Sequence, residues 1–155
     1  MKPTTPLAMI ILFLSSAGVP AAASDALDPG AGACRTIRAE IDLTHGTIAG
    51  NFGLDGTVAF VGDGAGTPPP TAPAGSSVFS GILTITTAHG DLLVRETGMF
   101  SSRTGNPAGA LLTSFGETTG GTQRYDDVTG DLFFAGRKAG AVFLVQVTGE
   151  LCHAK

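Results

Sequence analysis

From Cys34 onward the chain alternates. Ile37, Ala39, Ile41 and Leu43 take every second position, with Arg38, Glu40 and Asp42 between them. A period of two puts the apolar set on one face of a strand, whereas a helix would scatter it around its circumference. A turn at Thr44-His45-Gly46 leads into a second strand over residues 47–54, and Asp55-Gly56 is a hairpin signal because both residues tolerate positive φ. Val58-Ala59-Phe60-Val61 is a continuous apolar run that alternation cannot orient, and it ends at Gly62-Asp63-Gly64. Residues 67–75, with Pro68, Pro69, Pro70 and Pro73, read as an exposed loop, since proline offers no backbone donor to a ladder. Five further strands are predicted over residues 77–87, 91–100, 110–117, 130–138 and 141–152. They are separated by His89-Gly90, Thr104-Gly105-Asn106-Pro107, Gly120-Gly121 and Ala139-Gly140.

Eight strands with short connections suit an all-β fold, an antiparallel up-and-down β-barrel whose first and last strands pair so that no edge stays open. A two-sheet β-sandwich fits the same strand count. Composition removes the helical alternatives: 23 Gly and 9 Pro in 155 residues are too many for helices, where Gly costs about 1 kcal/mol and Pro about 3. A glycine recurs in Ser80-Gly81-Ile82-Leu83, Thr129-Gly130-Asp131-Leu132 and Thr148-Gly149-Glu150-Leu151. Inside a strand it marks a bulge, a bend or the close approach of another backbone.

Residues 1–23 read as a signal peptide. Met1-Lys2 is a short positive start, Leu7 to Leu14 is apolar, and Pro20-Ala21-Ala22-Ala23-Ser24 offers the small residues of a cleavage site. The apolar run is about half the roughly 20 residues a membrane span needs. Cleavage near Ala23 leaves a flexible segment over residues 24–33 and a barrel domain over 34–155, secreted or periplasmic, with no integral span. Export gives the cysteines a meaning: Cys34 and Cys152 are expected to form one disulfide joining the ends of the first and eighth strands. A net charge of −4 without a Lys/Arg cluster excludes a nucleic-acid surface, whose affinity comes from neutralising phosphates.

Phe79-Ser80-Gly81-Ile82-Leu83-Thr84-Ile85-Thr86, Gly90-Asp91-Leu92-Leu93, the stretch from Gly120 through Thr122-Gln123-Arg124-Tyr125 to Gly130, and Val147-Thr148-Gly149-Glu150-Leu151-Cys152 carry a resemblance. This half of the chain resembles secreted bacterial proteins of the allene oxide cyclase barrel-like group, related in fold to dirigent proteins. Gln123 stands where that group usually has a second glycine, and Tyr125 matches an aromatic that packs into one end of the barrel. The resemblance implies an eight-stranded barrel with a cavity that guides cyclisation or coupling of a reactive apolar intermediate. Such chemistry asks for shape, exclusion of water and one acid or base.

Two carboxylates are catalytic candidates. Glu96 shares a strand face with Leu92, Val94, Gly98 and Phe100; if that face points inward, desolvation raises its pKa as a general acid or base requires. Glu117 follows Leu111, Thr113 and Phe115 on one face, with Arg137 as a potential partner. Tyr125, Phe100 and Phe115 are the ligand-binding candidates. Glu40 and Asp42 oppose an apolar face and read as solvated, while Asp126 and Asp127 lie in a turn and cap backbone donors. His45, His89 and His153 form neither a His-x-His nor a Glu-x-x-His pattern, so no metal is expected. Neither a Gly-x-Ser-x-Gly elbow nor a phosphate loop occurs, and no cofactor is expected. The expected function is an exported barrel that binds a small apolar or amphipathic molecule, with a cyclase- or isomerase-like activity as its catalytic form. The alternative is a non-catalytic structural or interaction module with a packed interior. Interior volume separates them, because eight strands permit either.

Overall fold

The computed structural model describes residues 33–102 and 109–154. Its strands are β1 (Cys34–Asp42), β2 (Thr47–Gly50), β3 (Gly56–Gly66), β4 (Ser76–Thr87), β5 (Gly90–Ser101), β6 (Leu111–Gly121), β7 (Val128–Ala139) and β8 (Val142–His153). Each pairs with the next and β8 returns to β1, closing an eight-stranded antiparallel barrel rather than a sandwich. The leader over residues 1–23 and the Thr104-Gly105-Asn106-Pro107 turn lie outside the described residues. No helix among the described residues is long and apolar enough to cross a membrane.

Three elements depart from the pattern reading, one of them β6, which runs on through Gly120-Gly121 where a connection is expected. β2 stops at Gly50 because Asn51 leaves the ladder: its side chain accepts from the Arg38 backbone N–H and donates to the Thr36 carbonyl, each at 2.8 Å. The turn then falls at Phe52 and Gly53, with φ of 60° and 73°, and not at Asp55-Gly56. Burial of the Phe52 ring in the barrel end outweighs the turn preference of the Asp-Gly pair. β3, for its part, continues through Gly62-Asp63-Gly64 to Gly66. A register shift between Gly62 and Gly64 makes Asp63 the extra residue of a bulge. Its carboxylate accepts from the Ser80 hydroxyl and pairs with Arg95.

The two ends of the barrel differ. At one, Phe52, Leu54, Tyr125, Val128 and Leu151 are buried together and close it. Tyr125, on the 3₁₀ turn Gln123–Tyr125, is wholly buried and its hydroxyl donates to the Gly53 carbonyl at 3.0 Å. Cys34 and Cys152 face each other in the β1–β8 register at this end and are joined by the disulfide. Gly130 and Gly149 show why glycine recurs there. A Cβ on Gly130 would sit 2.0 Å from the Glu150 carbonyl oxygen, and one on Gly149 would sit 2.1 Å from that of Asp131. The proline-rich loop after β3 lies exposed at the opposite, open end.

Candidate functional site: an apolar cavity with one carboxyl

The site begins with β5. Its inward residues are Leu92, Val94, Glu96, Gly98 and Phe100, and the first two are fully buried in the closed half of the barrel. At Glu96 the packing changes. Its register neighbours are Gly81 on β4 and Gly116 on β6, and Gly98 follows it on the inner face. These three glycines, on three adjacent strands, make room for the rings around Glu96: a Cβ on Gly81 would stand 2.5 Å from Phe60 Cζ, one on Gly98 2.8 Å from Phe79 Cζ, and one on Gly116 3.0 Å from Phe134 Cε2, and the rings leave a space between them. The result is a cavity of about 240 Å³; a cavity of about 150 Å³ already takes up benzene. Ile41, Leu83, Phe134 and Val145 form its buried floor, and Leu43, Phe60, Phe79, Phe100 and Leu112 form its walls.

The cavity opens where the barrel wall is thinnest. β2 has four residues and meets β3 at only two register positions. Beyond Val58, whose N–H bonds to the Gly46 carbonyl, the β3 edge away from β4 pairs with no strand among the described residues. Leu43 and Phe60 both line the cavity at this gap and are 40% and 43% exposed.

Glu96 is the titratable lining residue, and only 5% of it is exposed. The Ser114 hydroxyl, also buried, donates to one of its carboxylate oxygens. Burial pushes the Glu96 carboxyl above the ordinary carboxylate value, and the Ser114 hydrogen bond opposes that rise without cancelling it. Such a group can exchange a proton with a bound molecule, hydrogen-bond to it, or neutralise a positive charge on it. At the open rim, the His45 ring lies 2.6 Å from Asp42 and holds that carboxyl below its usual value.

The structure distributes the other sequence candidates. Phe100 lines the cavity with Glu96 and lies 6.0 Å from the Phe143 ring. Tyr125 belongs to the plug at the closed end, where Gly53 occupies its hydroxyl. Phe115 and Glu117 project from the outer face of β6, whose inward set is Leu112, Ser114, Gly116 and Thr118. There Phe115 meets Phe133 edge to face at 5.1 Å, and Glu117 stands opposite Arg95 and Asp131 while Arg137 faces Leu111. Phe60, Phe79, Phe134 and Ser114 belong to the site and were not singled out from the sequence. The signal that points to them is the glycine set 81, 98 and 116 around a buried Glu. Cys34, Glu150 and Cys152 lie within metal-ligand spacing, but both sulfurs are committed to the disulfide.

The chain was compared with known proteins. No protein-family model, curated protein or solved structure matches it.

Proposed function

We propose that the protein is an exported barrel that binds a small apolar or amphipathic molecule in the cavity around Glu96. The observation that carries this reading is an apolar cavity of about 240 Å³ with one buried carboxyl in its wall. A concave, mostly apolar space with few polar groups is the usual form of a small-molecule site. The apolar leader run and the disulfide support export, since thiols outside the cytosol pair. Where the bound molecule is reactive, Glu96 is the acid or base of a cyclase- or isomerase-like step, and the apolar walls exclude water from it.

A second reading has its own support. Leu111, Phe115, Phe133 and Leu144 are exposed large apolar residues on the outer face of β6, β7 and β8. Such a cluster suits an interaction module, with the barrel as its scaffold. Native mass spectrometry of the exported protein, followed by organic extraction, separates the two. A stoichiometric small molecule, or uptake of an apolar probe that Phe134→Ala or Phe100→Trp alters, supports the cavity reading. A protein that is empty and takes up no probe overturns it in favour of the outer surface.

A further inference from the structure

We propose that the ligand is a small organic cation, an apolar body of one ring with a short chain ending in a protonated amine that sits against Glu96. This inference rests on the cavity reading above and narrows it to one chemical class.

Glu96 has no basic partner among the residues that line the cavity. From β1, β3, β4, β6, β7 and β8 the cavity-facing side chains carry neither a charge nor a titratable group. Its described side-chain partner is the single hydroxyl of Ser114. A carboxyl that serves structure when buried is paired or fully hydrogen-bonded, because an uncompensated charge inside a barrel is costly. Glu96 instead faces open space, so the missing partner is best supplied from outside.

The walls favour the same class. Phe60, Phe79 and Phe100 line the same cavity as Glu96, with Phe60 and Phe79 edge to face at 5.5 Å. Aromatic faces attract cations, and the attraction grows when water is excluded. An anionic amphiphile would set like charge against Glu96, and a net charge of −4 steers cations toward the protein and anions away. A neutral ligand would offer Glu96 only a neutral hydrogen bond, weaker than a charge-assisted one. The volume, larger than a benzene-sized cavity, matches one ring with a short chain.

Proton exchange distinguishes these ligands. Burial holds the empty site toward its neutral carboxyl form. An ammonium beside it favours the carboxylate and expels the proton, whereas a neutral ligand dehydrates the carboxyl further and draws a proton in. Amine affinity therefore rises with pH through the titration of Glu96, and the affinity of a neutral ligand falls.

The test uses the purified protein and three probes of one shape: phenylpropylamine, phenylpropanol and phenylpropionate. Titration calorimetry in buffers of different ionisation heat reads affinity and proton exchange together. The expected result is that the amine binds about tenfold tighter than the alcohol, through a charge-assisted hydrogen bond and the rings, and releases protons, with phenylpropionate weakest. Glu96→Gln is expected to erase that preference and to leave the alcohol within about twofold, since the amide still accepts from Ser114. If the alcohol binds and the amine binds no tighter, or takes protons up, the inference falls and the cavity reading stands. If none of the three binds, both fall. Should the Gln variant not fold, the sign of proton exchange in the unmodified protein decides.

Discussion

Glu96 holds its proton to higher pH in the folded chain than in the unfolded one, because burial disfavours the carboxylate. Between those two pKa values the folded state binds more protons, so stability is full below the unfolded value, falls as pH rises, and levels off above the folded value. Glu96→Gln removes this slope and keeps an acceptor for Ser114. The variant is expected to melt above the parent at about pH 8 and to lose that advantage near pH 4, the ordinary range of a glutamate. Thermal melts across the range test it, and a constant difference would assign the effect to packing. Gln123 offers a second test at this scale. Its φ of 54° lies in the left-handed region, which costs a side-chain-bearing residue roughly 1–2 kcal/mol. Part of that gain is offset by the extra freedom of glycine in the unfolded chain, so Gln123→Gly is expected to stabilise by about 1 kcal/mol in urea unfolding. The backbone at Gln123 takes a conformation that favours glycine, which the residue type alone does not announce.

The strands show how far pattern carries and where it stops. Period two in β1 and the turn signals between the later strands located β1, β4, β5, β7 and β8 to within a residue or two of their observed ends. Alternation did not orient β6, since exchanging the faces of an alternating strand preserves the alternation. In β6 the large apolar Leu111 and Phe115 turn outward, while Ser114, which donates to the Glu96 carboxyl, and Thr118 turn inward. The usual polarity of the two faces is inverted in this strand, and at Ser114 the inward hydroxyl is occupied by Glu96. β3 was cut short because Gly62-Asp63-Gly64 reads as a turn, whereas a bulge absorbs Asp63 and lets the strand continue along β4. The glycines packed against the rings of the cavity make a prediction at this scale. A Cβ on Gly116 would stand 2.5 Å from Val94 Cγ1 and 3.0 Å from Phe134 Cε2. Gly116→Ala is therefore expected to destabilise by roughly 1–3 kcal/mol, as overpacked cores do. It should also weaken uptake of an apolar probe, which equilibrium unfolding and probe titration measure separately.

At the scale of the molecule, closure depends on contacts that sequence separates most widely. β1 and β8 pair along their length from Cys34 with Cys152 to Asp42 with Leu144, and the disulfide bridges 118 positions. The cysteines and eight strands were visible in the sequence. The cavity was not, because its volume is set by Ile41, Leu83, Phe134 and Val145, side chains from four strands that only the closed barrel brings together. The disulfide fixes in the unfolded chain the very proximity that β1–β8 pairing needs. Loop-closure entropy must be spent before such non-local contacts stabilise anything, which makes it a barrier to folding. Replacing Cys34 and Cys152 with serine is expected to lower stability by about 2–4 kcal/mol. Most of the loss should appear as slower folding with little change in unfolding rate, because the native β1–β8 ladder survives without the bond. Stopped-flow folding and unfolding of parent and double variant read this directly. Faster unfolding with an unchanged folding rate would instead place the role of the bond in the native barrel, holding its closed end against fraying after the transition state has formed.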